Sequence, residues 1–348
     1  MSQPTVSILM AVHNNRKELP LALDSLRNQQ LADFEFIAVD DGSTDGSGEL
    51  LDGFARHDGR ARVFHQDNSG LGPALHRAAA EARGRYFARQ DADDVSAPTR
   101  LQRQVAYLER HPDVVFCGTW TWFVDPTHGS MSALEVPADH DRLLAYLEAG
   151  DNPFVHGSVM IRGDRYRAEG IGYRLRRYSE EYDLWLRLTA FGHLGMVESP
   201  EYIYKLSPGG MSFGNINSRQ PLHDLCLKLH EERKVQGRET TDWRAAEAGI
   251  LSILENEQDA HQRNAVATYT HALQRLAAGD RRGYLESMRS ARSAYGPIGR
   301  RALGHLMTGF LWPLTRRLYR VRVRRTSRRY LRPLRPGTEL PSYARGMM

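Results

Sequence analysis

Asp91-Ala92-Asp93 sets two carboxylates one residue apart. At a strand end such a pair can converge on one hard cation with oxygen ligands, Mg²⁺ or Mn²⁺. A cation held by so few protein groups keeps positions open for a diphosphate and neutralises charge on a departing phosphate group. Asp40-Asp41-Gly42-Ser43-Thr44-Asp45 offers a carboxylate to a base N–H or a ribose hydroxyl. Glu180, Glu181 and Asp183 are candidates for a general base that takes a proton from a hydroxyl. His156, in Asn152-Pro153-Phe154-Val155-His156-Gly157-Ser158, lies between the paired aspartates and these acids. Each group taken singly has a structural reading too. A D-x-D triplet suits a solvated loop or a helix N-cap. Ser43 or Asp45 suits the capping of a strand-to-helix turn. Acids in a first helical turn are favoured by the helix dipole. A lone histidine is more often structural.

The elements that must position these groups alternate in type. Strand-like runs cover Val6–Val12, Phe34–Val39, Arg62–His65 and Tyr86–Arg89, and helical spacing covers Asn15–Gln29, Thr44–Phe54 and Gly72–Arg83. Asp45 is expected in the first turn of the second helix. Strands alternating with helices predict an α/β fold with a mostly parallel sheet flanked by helices. In such sheets ligands bind outside the carboxyl ends of the strands, and both Asp40-Asp41 and Asp91 to Asp94 fall there. Further along, the pattern predicts a helix over Arg100–Arg110, strands over Val114–Phe123 and Val155–Arg162, and helices over Leu143–Ala149 and Ser179–Phe191. From Arg219 to Ala294 the spacing is helical throughout.

At 41% hydrophobic and 26% charged residues, the chain has the composition of an ordinary globular protein, not of a disordered one. Its two cysteines, Cys117 and Cys226, show no disulfide or zinc spacing, which fits a reducing cytoplasm. Met1 to Pro4 runs straight into a strand without a basic leader, so no signal peptide is expected. No apolar run reaches the ~20 residues needed to span a bilayer. Ala302–Leu314 comes nearest, but it is short and contains His305 and Pro313.

The net charge of +5 conceals an acidic body and a basic tail, with 14 arginines and no acid between Ser287 and Thr338. Leu303, Leu306, Phe310, Leu311, Leu314 and Leu318 recur there at helical spacing, interrupted by Pro313. Apolar residues beside arginines suit an anionic membrane surface. Nucleic acid is the competing anion, but no nucleic-acid-binding fold accompanies the tail.

Taken together these segments resemble one family. Val6 to Asn14 resembles the opening strand of family 2 glycosyltransferases, and Asp33 to Asp45 their second strand and nucleotide motif. Asn68-Ser69-Gly70-Leu71-Gly72 and Ala82-Arg83-Gly84-Arg85-Tyr86 resemble the segment before the metal motif. Asp91-Ala92-Asp93-Asp94 with Pro98-Thr99-Arg100-Leu101 and Gln104 resembles that motif, and Glu180 to Leu188 the base helix. The resemblance spans residues 4 to 212. It implies a GT-A fold and an inverting, metal-dependent transfer from a nucleotide sugar, most commonly UDP-linked, to a saccharide or lipid-linked acceptor. By position, Ala11, His13, Asn14, Asp40, Asp41, Asp91 and Ala92 would border the nucleotide. Asp93, with Asp91, would hold Mg²⁺ or Mn²⁺. Glu181 would be the base, with Glu180 and Asp183 as neighbours or rivals, and His156 and Lys205 would serve the diphosphate or acceptor.

Departures are visible. Ala11 and His13 stand where Pro and Tyr are common, His76 replaces a frequent Asn, and Glu181 replaces the usual Asp base. Ser207 lacks a cation often present there, for which Lys205 is a substitute. The Q-x-x-R-W motif and membrane spans of processive synthases are missing, so one transfer per encounter is expected. A nucleotidyltransferase would carry a glycine-rich phosphate loop where His13-Asn14-Asn15-Arg16-Lys17 stands. A non-catalytic membrane scaffold is the other alternative. The expected organisation is a catalytic domain over 1–215, a helical region over 216–296 and a basic tail over 297–348, on the inner face of the cell membrane.

Overall fold

The computed structural model describes residues 3–125, 130–167, 171–176, 178–206, 216–255, 331–333 and 341–347. The chain forms two compact units, Met1–Leu206 with Tyr330–Met348, and Ser207–Arg329.

The first unit begins as the alternation predicts: β1 (Val6–Val12), α1 (Leu19–Arg27), β2 (Phe34–Asp41), α2 (Ser47–His57), β3 (Ala61–Gln66), α3 (Leu71–Glu81) and β4 (Tyr86–Arg89). β1 lies between β2 and β4 with β3 outside β2, all parallel. Every residue of β2 is buried. Helices cover both faces, so the strand reads as a nearly continuous apolar run. On α1, Leu19, Leu23 and Leu26 point into this core, and Pro20 sits in the first turn, where its missing N–H costs nothing.

Two helix starts differ from the sequence expectation. α1 begins at Leu19 and not Asn15, because Asn14 takes φ +53° and the Asn15 carbonyl accepts from Glu18 and Leu19 in a preceding turn. α2 begins at Ser47, with Gly46 at φ +90° ahead of it. Asp45 therefore stays outside the helix, where its carboxylate accepts from Ser47 N and Oγ and from Arg16 N.

The second half is built on a long strand. It comprises β5 (Val95–Ser96), α4 (Arg100–Arg110), β6 (Val114–Asp125), β7 (Ser130–Leu134), α5 (His140–Glu148), a 3-10 turn His156–Ser158, β8 (Met160–Arg162), α6 (Gly163–Arg167), α7 (Glu180–Leu188) and β9 (His193–Lys205). β9 runs parallel to β6 along its length, and β8 and then β7 pair antiparallel with β6. β8 also joins β4, closing one curled, mostly parallel sheet. β5 pairs with β9. Of the strand expected over Val155–Arg162, only Met160–Arg162 forms. His156-Gly157-Ser158 turns instead, because Gly157 is pressed against the Tyr202 hydroxyl and Asp91.

The last described segments rejoin this unit. β10 (Leu331–Pro333) adds antiparallel to β7. Met347, in a 3-10 segment Ser342–Met347, is buried with Val95, Val124 and Ile203. The second unit contributes α8 (Ile216–Gln236) and α9 (Trp243–Glu255), as the helical pattern expects. The pattern's continuation to Ala294 and the arginine-rich stretch to Arg329 lie outside the described residues. Among the described residues no helix is long and apolar enough to cross a membrane.

Candidate active site

At the carboxyl ends of β1, β2 and β3 the expected nucleotide residues come together. Ala11 pairs with Val39 near the end of the β1–β2 ladder. Asp41, buried at the end of β2, accepts from Gln66 Nε2 at 2.8 Å, Ser69 N at 2.9 Å and Ser69 Oγ at 3.1 Å through Oδ1, and from Gly70 N at 2.8 Å through Oδ2. Both oxygens are thus committed to shaping the Gln66–Gly70 turn, where the sequence expectation had Asp41 holding the base directly. His13 and Asn68 are among the exposed polar groups here. His13 Nδ1 is 2.9 Å from the Asp41 carbonyl, and Asn68 Nδ2 is 3.1 Å from His13 Nε2. Asn14 ties the β1 loop to the β2 loop, donating to Ser43 Oγ and accepting from Thr44 N at 2.8 Å.

Asp40 faces the other way. Its Oδ1 accepts from Ser43 N, and its Oδ2 is 3.0 Å from His65 Nδ1, while His65 Nε2 is 3.1 Å from Asp52. An imidazole with a carboxylate at each nitrogen uses both as donors only when protonated. The hydrogen bond to Asp40 accordingly raises the His65 pKa against the opposing effect of burial, and Asp52 adds to the rise.

The acid turn Asp91–Asp94 follows β4. Asp91 Oδ1 accepts from Arg89 Nη2 at 2.6 Å, and Asp91 N lies 3.1 Å from the Tyr202 hydroxyl on β9. Ala92 is buried. Asp93 is pushed up to about 6, first by burial and then by the charge of Asp91. Asp94 is also raised, by burial and by both neighbouring aspartates. Its Oδ1 accepts from Lys205 N at 2.9 Å, and the Tyr202 hydroxyl stands beside the same carboxylate. The Lys205 ammonium pairs with Glu18 at 3.2 Å, so its charge is engaged beside the turn.

Two fully buried arginines brace this turn from behind. Arg89 bonds Asp91. Arg100 donates to the Arg89 carbonyl at 2.7 Å, to Gln90 Oε1 at 3.0 Å and to Ser96 Oγ at 2.8 Å, and burial lowers its pKa to about 10. Gln104, one helical turn on, donates to the Ser158 carbonyl at 2.9 Å.

That bond helps hold the 3-10 turn that brings His156 to the site. One ligand atom from each of His156, Glu180 and Glu181 lies within 4.8 Å of the others, and His156 Nε2 is 2.8 Å from the Tyr173 hydroxyl. A methyl on Gly157 would lie 2.6 Å from Asp91 Oδ2. The His156–Glu180–Glu181 group is therefore a near neighbour of the acid turn. Asp183 is not part of it. It is fully buried, with Arg174 on both oxygens at 2.6 and 2.9 Å and Arg187 Nε at 2.9 Å. The rival base of the sequence expectation is an ion-paired structural group.

A family model, "Glycosyl transferase family 2", matches residues 7–187. The chain belongs to glycosyl transferase family 2. Among its relatives, the amylovoran biosynthesis glycosyltransferase AmsE of Erwinia amylovora is 29% identical over 240 residues, covering 66% of this chain and 89% of AmsE. The O-antigen biosynthesis glycosyltransferase WbnJ of Escherichia coli is 30% identical over 184 residues, covering 53% and 71%. In fold the chain is similar to residues 1–349 of S. aureus TarS crystallised with UDP-GlcNAc, with a TM-score of 0.55 at 15% identity over 86% of this chain and 92% of that one.

In this family 2 glycosyltransferase Arg89, Tyr202 and Tyr173 also stand at the site, outside any of the motifs. The one signal for Arg89 is a cation within the otherwise apolar run Tyr86-Phe87-Ala88, directly before the acids. Tyr202 and Tyr173 reach the site only through chain reversals that no local pattern encodes.

Proposed function

We propose that this glycosyltransferase moves a sugar from a UDP-linked donor to a hydroxyl of a saccharide or lipid-linked acceptor, with inversion and one transfer per encounter. One observation carries the reading. The 3-10 turn at His156–Ser158 packs Gly157 on Asp91 while His156 stands beside Glu180 and Glu181. A diphosphate at the acid turn and a hydroxyl at Glu181 would then flank a single sugar, as in-line displacement requires.

The acid turn fits a divalent cation. Asp91, Asp93 and Asp94 crowd three carboxylates into one turn, an all-oxygen donor set of the kind that suits a hard divalent cation. Asp93, with Asp91, would hold Mg²⁺ or Mn²⁺, which when bound supplies electrostatic stabilisation to the leaving diphosphate. The chain's own residues do the rest. Arg89 holds Asp91 in place. His13 and Asn68 present polar groups to the base, in a pocket whose floor Asp41 shapes. Glu181, half-buried in the first turn of α7, accepts the acceptor's proton. His156, oriented by Tyr173, hydrogen-bonds the sugar or diphosphate between them.

The names of AmsE and WbnJ support a surface-polysaccharide acceptor, and the UDP-GlcNAc bound to TarS supports a UDP carrier. The arginine-rich stretch supports attachment to the anionic inner face of the membrane.

The test is thermal unfolding with UDP, GDP or dTDP, each with and without Mn²⁺, for the wild type and Asp93→Ala. A ligand of the native state stabilises it by RT ln(1 + [L]/Kd). We expect a Mn²⁺-dependent rise with UDP that Asp93→Ala abolishes. No rise with any nucleotide would remove the proposal.

A further inference from the structure

Asp183 and its arginines tie the base helix to a short strap, residues 171–176, and the strap in turn meets the nucleotide pocket. Arg174 clamps Asp183 of α7, and Arg187 reaches from the same carboxylate to the Gly172 carbonyl. At the far end of the strap the Arg176 carbonyl accepts from Gly72 N at 3.0 Å. A methyl on Gly70 would stand 2.9 Å from that same oxygen, and one on Gly72 would overlap the Leu175 carbonyl. Gly70, at φ +100°, also donates its N–H to Asp41. A continuous run of contacts therefore joins Asp41, the glycine turn, the strap, Asp183 and α7.

The link between strap and helix is strained. Tyr178 and Ser179 sit at φ +59° and +87°, a region that residues with side chains seldom occupy. Such strain persists only where surrounding contacts over-determine it, and the clamp on Asp183 is one of those contacts. Releasing the clamp removes one of the contacts that hold those two residues and the first turn of α7.

We infer that Arg174 is a positioning residue, whose clamp on Asp183 couples nucleotide occupancy at the Asp41–Gly70 turn to the placement of the first turn of α7. The inference rests on the reading of Glu181 as the base for its catalytic consequence, though not for the coupling itself. A nucleotide that orders Ser69 and Gly70 orders the strap through the Gly72–Arg176 bond, and the strap holds the helix start in the conformation that serves the acceptor. Strap and helix would then be held most firmly only when the donor is present.

Backbone hydrogen exchange of the full chain, with and without UDP and Mn²⁺, tests this directly. In the wild type, nucleotide should slow exchange of the amides of residues 171–183 as well as those of the pocket. Gly72→Ala, whose methyl must displace the Leu175 carbonyl, should remove the protection at 180–183 and weaken UDP binding by a few-fold at most, because the coupling is reciprocal. Arg174→Met should do the same and lower kcat at least tenfold with little change in donor KM, and Arg174→Lys should restore part of both. Nucleotide protection of 180–183 that survives unchanged in Gly72→Ala and Arg174→Met would overturn the coupling. If Gly72→Ala fails to fold, Arg174→Met and Arg174→Lys decide alone. If Glu181→Gln keeps full kcat while the wild-type protection is seen, the base assignment is wrong and the coupling stands.

Discussion

At the scale of single residues, Glu181 and its rival Asp183 on α7 differ in their partners. Glu181 is half-buried beside His156, whereas Asp183 is sealed between two guanidiniums. Glu181→Gln should keep the fold and UDP binding and lower kcat by about 10²–10⁴, the usual range for a lost general base. Asp183→Asn should lose stability as well as the positioning of the α7 start. Breaking a buried pair leaves an uncompensated charge and costs about 3–5 kcal/mol, so its denaturation midpoint should fall while that of Glu181→Gln does not. His65 makes a second residue-scale prediction. Its pKa is raised in the folded state, so its stabilisation is fully present below its unfolded pKa, near 6.5, and is lost as pH rises through the folded value. The melting temperature of the wild type should therefore exceed that of His65→Gln at pH 5.5 to 6, and the difference should shrink by pH 8 to 9.

At the scale of elements, what could be read from the sequence was what local pattern encodes. β1 and α4 occupy the expected residues because one is an unbroken apolar run and the other places Leu101, Gln104 and Leu108 on one buried face. β9 was not foreseen. Gly195, Ser199 and Pro200 interrupt its alternation, and its pairing with β6 shifts register around Trp120. β5 has two residues and exists only because β9 and Met347 cover it. The site divides along the same line. The acids were legible as motifs, while the seating of Asp183 between two arginines, the bracing by Arg89 and Arg100, and the turn at Gly157 depend on which side chains meet across the fold. The cluster of Val95, Val124, Ile203 and Met347 lies next in sequence to the acid turn, through Val95 after Asp94. Met347→Ala should cost about 2 kcal/mol, at the low end for a buried methionine, read as a lowered urea midpoint at unchanged m-value.

At the scale of the whole molecule, charge is unevenly distributed, with the arginines between Ser287 and Thr338 set against an acidic remainder. If that stretch meets lipid, the full chain should sediment with vesicles of phosphatidylglycerol and phosphatidylcholine but not of phosphatidylcholine alone. The bound fraction should fall between 0.05 and 0.5 M salt, because the Debye length shortens from about 14 Å to about 4 Å. Replacing Arg316, Arg317, Arg320, Arg322, Arg324 and Arg325 by Gln should abolish co-sedimentation without touching UDP-dependent stabilisation. Salt-independent binding would instead point to apolar insertion.

The catalytic unit closes with residues that lie far along the chain, and this has a consequence for its synthesis. The edge of β7 and the Val95–Val124–Ile203 cluster are made early, but their covers, Leu331–Pro333 and Met347, follow only after the whole of Ser207–Arg329. Translation proceeds at about 5–20 residues per second, so a nascent chain carries a bare strand edge and an open apolar cluster for about 7–40 seconds. During that time a neighbouring nascent chain on the same messenger, or a chaperone, can pair with β7 before its own Leu331–Pro333 segment arrives.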